Sequence, residues 1–184
     1  MTFRLPPVLD ERELPRPVLR AAVLDGELWP IGDGYCLADV PVDAAIRARS
    51  LRSVGAEGRV IADRTAAWVW GVVPELSLPR STVLPRTPVA PHSTGAVEPG
   101  IRCRIARLRV GDVARPGGIA VTSPARTAID LACRAVDEVA DEILIGLIEL
   151  AGTSARALRA DLAGRSRLRG RRLGLARLQL LVTR

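Results

Sequence analysis

The sequence contains no lysine and no asparagine, a single histidine (His92) and a single glutamine (Gln179). All 27 basic residues are therefore arginine. Such a bias follows from GC-rich coding sequence, so the formal charge of +7 does not by itself announce an anionic partner. Cysteine is scarce. Cys36, Cys103 and Cys133 are scattered and odd in number, which argues against a disulfide framework. With isolated cysteines and one histidine there is no zinc-ligand set. Long apolar runs are missing too: the uncharged stretch 143–148 is far too short to span a bilayer. The start, Met1-Thr2-Phe3-Arg4 followed by Leu5-Pro6-Pro7, lacks the apolar segment of a secretory leader. The expectation is a soluble, cytoplasmic protein with no membrane partner.

What is present is enough apolar material for a core, 48% hydrophobic against 26% charged in 184 residues. The charge is unevenly spread. Residues 1–60 carry 8 arginines and 9 acids, 61–120 carry 8 and 4, and 121–184 carry 11 and 7. Any basic surface is thus expected in the middle and C-terminal parts. Phosphate neutralisation dominates affinity for nucleic acid, so the acidic N-terminal part is an expensive DNA reader.

The pattern along the chain predicts an α+β layout. Four prolines between residues 3 and 17 make an irregular lead. A helix follows, with Pro17 in its first turn and Val18, Leu19, Ala22 and Val23 at helical spacing. Residues 28–31, Gly32-Asp33-Gly34 and 35–37 read as strand, tight turn, strand. A short helix running into a hairpin is the second half of a winged helix-turn-helix. Further on, 42–54 reads as helix, 59–62 as a short strand, and 64–70 as a helix that Asp63 caps and Gly71 ends. Strands are expected at 81–84, 101–108 and 119–121, with 87–100 as a mobile loop. Ser123-Pro124 is an N-cap and first-turn pair for a helix through Cys133. Helices over 137–151, from a Thr153 cap to 163, and over 171–182 close the chain.

Three segments carry a family resemblance. They are Ala22-Val23-Leu24-Asp25-Gly26-Glu27-Leu28 leading to Gly34-Tyr35; Arg64-Thr65-Ala66-Ala67-Trp68-Val69-Trp70-Gly71; and Val121-Thr122-Ser123-Pro124-Ala125-Arg126-Thr127-Ala128-Ile129-Asp130-Leu131-Ala132. In that order the chain resembles the actinobacterial AbiEi-type antitoxin family, in a short form lacking the C-terminal Vsr-like endonuclease domain of longer relatives. The resemblance implies a type IV toxin–antitoxin role. A degenerate winged helix (1–40) would bind promoter DNA. A small mixed α/β domain with C-terminal helices (41–184) would counteract a nucleotidyltransferase-like toxin. The alternative is a stand-alone DNA-binding transcriptional regulator with no toxin partner.

Candidate residues follow. Arg16 and Arg20, four apart on the first helix, face double-stranded DNA in one reading and solvent in the other. Arg165, Arg167, Arg169, Arg171, Arg172 and Arg177 form the densest basic run. It tracks a phosphate backbone, docks an acidic partner, or is a solvated tail; Arg167, Arg169, Arg171 and Arg172 join Arg16 and Arg20 as DNA-binding candidates. Arg64, Trp68, Trp70, Arg126 and Asp130 are the partner-binding candidates. Against that, both tryptophans suit a core, and Arg126 with Asp130 suits a helix ion pair at i, i+4. No nucleophile elbow, phosphate-binding loop or acidic nuclease cluster is present, and His92 sits alone in a loop-like segment. The expectation is a non-enzymatic protein without cofactor or metal.

Overall fold

The computed structural model describes residues 5–56, 58–86, 99–134, 140–166 and 168–183. It is an α+β molecule with two sheets. The first is small and antiparallel. β2 (Leu28–Ile31) and β3 (Gly34–Leu37) form the expected hairpin, with Ile31 opposite Gly34 across a two-residue turn. Gly32 occupies that turn at φ 56°, and a Cβ there would collide with Ser50 Oγ. The proline-rich lead is not wholly irregular: Val8–Leu9 forms β1 on the free edge of β3, in register with Cys36 and Tyr35. Two residues are too few for any periodicity to reveal, which is why the sequence reading passed over this strand. Helix α1 (Arg16–Leu24) packs Leu19 onto Leu9 and Leu28, while Pro17 supplies the preset φ of its first turn.

The second sheet has five strands in the order β6-β5-β4-β8-β7. They are β4 (Val60–Ile61), β5 (Arg80–Pro85), β6 (Ile101–Ala106), β7 (Val113–Ala114) and β8 (Val121–Thr122). β4 runs antiparallel to β5 and parallel to β8, β5 and β6 are parallel, and β7 is antiparallel to β8. β6 stops at Ala106, two residues short of expectation. β7 was not anticipated, because its only apolar signal is a Val-Ala pair.

The helices lie over this sheet. α3 (Asp63–Val69) and α4 (Pro124–Ala132) are almost wholly buried and carry the main core with Ile61, Val121, Ala67 and Ile129. The Ser123 hydroxyl caps α4 by accepting from the Arg126 amide at 3.4 Å, as its sequence predicts. α2 (Ala44–Arg49) is shorter than the apolar pattern suggests and is capped by Asp43. α5 (Asp141–Leu150), α6 (Ala155–Ala163) and α7 (Arg171–Val182) complete the core through Leu144, Leu147, Leu162 and Leu178. The first turn expected for α5, at Asp137 and Glu138, lies outside the described residues, as does His92. The cap of α6 is Ser154, not Thr153. Gly174 lets α7 approach closely: a Cβ there would stand 2.8 Å from Cys133 Sγ and 2.9 Å from Leu162 Cδ2.

The small sheet is bolted to the larger part by ion pairs. Arg52, just after α2, reaches the carboxylates of Asp10 and Glu13, the latter at 2.7 Å. The hairpin turn is held twice: Arg80 of β5 donates to Asp33 at 2.8 Å, and the Asp33 amide donates to the Ser50 carbonyl at 3.1 Å.

Candidate functional site

The chain's arginines and aspartates, far apart in sequence, converge on one face of α3 and α4. At the centre is Arg126, 1% exposed. Its Nε donates to Asp130 at 3.0 Å and its Nη1 to Asp112 at 2.7 Å and to the Arg107 carbonyl at 3.1 Å. Asp112 is shared. Arg165 grips it with two parallel bonds of 2.7 and 2.8 Å and also binds Asp161. Arg109 reaches the same Asp161 at 3.0 Å. On the other side Asp130 accepts from Arg104 at 2.8 Å, Arg104 also contacts Asp63 at 3.4 Å, and Asp63 accepts from Arg134 at 2.7 Å. The result is a continuous alternation of charge from Arg134 to Arg109, threading α3, β6, α4, the turn before β7 and the end of α6.

Electrostatics follow from this alternation. Burial alone would raise the Asp112 carboxyl, but the Arg165 hydrogen bonds, the Arg109 amide and the Arg126 charge together hold it below the usual carboxylate range. Burial works against the charged form of Arg104 as well; Asp130 and Asp63 outweigh it, and its guanidinium is more firmly charged than usual. Cys133, beside this network, has its thiol pushed up to about 11 by burial and by the nearby Asp130. A thiol held protonated in this way is a poor nucleophile.

Asp63 does not cap α3. The cap position is Ala62, and Asp63, the first residue of the helix, is the only residue besides glycine with a positive φ among the described residues, at 53°. Its carboxylate serves Arg134 and Arg104 instead, and those bonds hold the unfavourable backbone in place. The relay's Asp63 end opens to solvent as a cleft of about 220 Å³. Its wall is formed by Asp63, Arg64, Arg102 and Arg134, by Ser77 and Ser81, and by the apolar Leu78, Pro79 and Leu131.

The sequence-predicted residues are distributed as follows. Arg64 is exposed on the cleft wall. Arg126 and Asp130 are buried within the relay, behind the surface where a partner would meet them. Their i, i+4 bond is real, but it is one link in a longer chain. Trp68 is 6% exposed; its carbonyl accepts from Arg47, whose guanidinium lies 5.3 Å from the ring centroid. Trp70 is half-buried, and its Nε1 donates to the Thr122 carbonyl at 2.8 Å, tying α3 to β8. Both tryptophans therefore pack the interior. Arg16 and Arg20 are exposed on α1, with Arg16 3.6 Å from Glu11.

The C-terminal basic run does not form one continuous track. Arg165 and Arg177 are buried, the first on Asp112 and Asp161 and the second on Asp141. Arg171 donates to the Leu162 and Ala163 carbonyls at the end of α6. Arg169 and Arg172 are exposed, and Arg167 lies outside the described residues. Nor is the segment a frayed tail, since α7 is regular and packs Leu178 into the core. Sequence reasoning missed Asp112 and Arg134 altogether. Asp112 meets Arg165 across 53 positions, and no spacing rule links residues that distant.

Fold and site together define a small α+β protein in which, among the described residues, many arginines are paired with the protein's own carboxylates and the relay ends at a cleft. Residues 59–182 match the family model described as the AbiEi antitoxin C-terminal domain, so the chain belongs to the AbiEi antitoxin family. That family carries an antitoxin role, and an antitoxin implies a toxin partner. No curated protein matches the chain. Among the described residues no helix is long and apolar enough to cross a membrane, and none of their His, Cys, Asp and Glu side chains form a group suited to hold a metal ion.

Proposed function

We propose that this protein counteracts a nucleotidyltransferase-like toxin by binding it in the cytoplasm, without catalysing a reaction. The observation that carries the reading is the extent of the antitoxin match, from β4 through α7. It covers the second sheet, the relay and the cleft as one unit. Arg64, exposed on the cleft wall, is the partner-binding candidate best placed to meet a toxin. The test is co-expression with a neighbouring nucleotidyltransferase-like reading frame. Growth rescue and co-purification support the reading; a toxin that stays lethal beside well-folded antitoxin defeats it.

The same proposal gives residues 1–40 a second task, promoter recognition by a degenerate winged helix. Support comes from β1, α1 and the β2–β3 hairpin standing in the order of that motif, with Arg16 and Arg20 exposed on α1. The hairpin turn is docked on Ser50 and Arg80, so a phosphate contact from this wing is not expected. Phosphate contacts then fall to Arg16 and Arg20, with Arg169 and Arg172 as a second set. Salt titration of promoter binding separates them, because each lost phosphate contact flattens the slope by about one unit. A protein that binds its promoter but captures no toxin would instead be a stand-alone regulator, a reading that the exposed arginines of α1 favour.

A further inference from the structure

β6 stands at the end of the larger sheet, with β5 on one side of it only. The Arg80 amide donates to the Gly100 carbonyl, the Arg86 amide donates to the Ala106 carbonyl, and Ser81 lies opposite Arg102. The even-numbered residues of β6 therefore turn their main-chain groups toward β5. Those of Ile101, Cys103 and Ile105 point the other way. The outer side presents three N–H donors and three carbonyl acceptors, and among the described residues no strand pairs with it. The other sheet edges are blunted: β1 and β7 have two residues each, and β2 carries Pro30. β6 has six residues and no proline, so it is the edge best able to accept a further strand.

Its side chains say what kind of strand. One face carries Cys103, exposed, and Ile105, 54% exposed. The other carries Arg102, exposed, and Arg104, which is turned onto Asp130 and Asp63. From Ile101 to Arg109 the chain has four arginines and no acid. Arg104 and Arg109 are held by carboxylates of the protein, while Arg102 and Arg107 stay exposed. A second copy of β6 is a poor partner. Antiparallel pairing about a two-fold axis puts like faces together, so arginine would meet arginine across the new ladder. We propose that the outer edge of β6 takes up an extended strand of a partner protein in which acidic side chains alternate with apolar ones. Main-chain bonds to Ile101, Cys103 and Ile105 supply the affinity. Carboxylates beside Arg102 and apolar groups beside Ile105 set the register. The proposal stands apart from toxin binding, since a peptide titration reads this edge directly and co-purification reads the toxin.

The test is fluorescence anisotropy of a labelled peptide alternating valine and glutamate, titrated with the full chain. Saturable binding is expected, with Kd on the order of 100 μM or tighter. The same peptide with every backbone amide N-methylated keeps its charges but loses its donors, and should bind at least tenfold more weakly. Arg102→Glu should weaken the glutamate peptide about tenfold and favour a peptide with lysine in place of glutamate. Arg102 is exposed, so this change should leave the melting temperature unaltered. Ile105→Pro removes only an outward donor and should also weaken binding about tenfold. If that variant fails to fold, the N-methylated peptide still decides. Absence of saturable binding, equal binding of the N-methylated peptide, or indifference to Arg102→Glu would overturn the proposal. So would a dimer of the wild-type chain, seen by analytical ultracentrifugation, that Ile105→Pro dissociates, because the occupant would then be a second copy.

Discussion

The sheet β1-β3-β2 is closed by six buried residues: Val8, Cys36 and Ile46 on one side, and Leu9, Leu19 and Leu28 on the other. The sheet β6-β5-β4-β8-β7 and its helices share a single large core that runs from Ala48 to Leu178. The charged groups differ in the same sense. Near the small sheet the ion pairs are surface clamps, with side chains 21–29% exposed at Arg52, Asp10 and Glu13. At the centre of the larger part they are internal, with Arg126 at 0% and Asp130 at 3%, and the ends of the relay open outward, with Arg104 and Arg134 33% and 31% exposed. The comparison teaches that one kind of interaction does two jobs. Clamps attach a small unit that has too little core to stand firmly alone. The relay fixes the relative placement of elements that already have a core, where an unpaired charge would be severely penalised.

The strongest way to break this contrast is at Arg126. Arg126→Met leaves Asp112 and Asp130 buried with one partner fewer each, and should cost about 3–5 kcal/mol in urea denaturation. A loss under about 1 kcal/mol, the scale of a surface pair, would mean that the relay behaves like the clamps. Next comes Leu19→Ala, expected to cost about 2–4 kcal/mol through the cavity it leaves. Hydrogen exchange should show the loss in residues 8–37 while α4 and α7 keep their protection. Equal loss in both regions would make the molecule one cooperative unit.

Arg52→Ala should cost about 1 kcal/mol, as partly exposed pairs do, and should loosen the small sheet without altering the larger one. pH sharpens this. The hydrogen bond from Arg52 holds the Asp10 carboxyl below its ordinary value, and Arg165 with its neighbours does the same for Asp112 after overcoming burial. For depressed carboxyls the stabilisation is complete above the unfolded value of about 3.9 and is lost as pH falls through the folded value. Both regions should therefore be insensitive to pH near neutrality and weaken below about pH 4. In Arg52→Ala the acid sensitivity of the small sheet should diminish while that of the larger part persists, as followed by exchange at several pH values. The smallest effect belongs to Arg16→Ala with Arg20→Ala. Stability should stay within about 0.5 kcal/mol, because both side chains are exposed. A larger loss would give α1 a packing role that its exposed face does not display.

Much of the fold was legible because its signals are local. The β2–β3 hairpin follows from Gly32-Asp33-Gly34 between apolar runs, and α4 from Ser123-Pro124. β1 and β7 were not legible, since two-residue strands exist only through their partners. At the site, local reasoning located Arg126, Asp130 and Arg64 and the bond between the first two. It misassigned Asp63, whose place before an alanine-rich helix reads as a cap. The competing principle was tertiary: two arginines from β6 and from the end of α4 claim that carboxylate.

By itself the sequence determined the α+β class, most helix positions, the hairpin and the family, because turn chemistry, capping and apolar periodicity act over a few residues and each segment carries its own signal. It also determined that positive side-chain charge would be carried by arginine alone. Which arginines are available was decided only by tertiary structure. Arg126, Arg165 and Arg177 are buried on carboxylates, Arg171 ends α6, and Arg102 is left on the wall of a cleft. The physical reason is that the environment of a charge depends on groups brought near it by folding, across separations such as the 53 positions between Asp112 and Arg165, and no local pattern encodes that proximity.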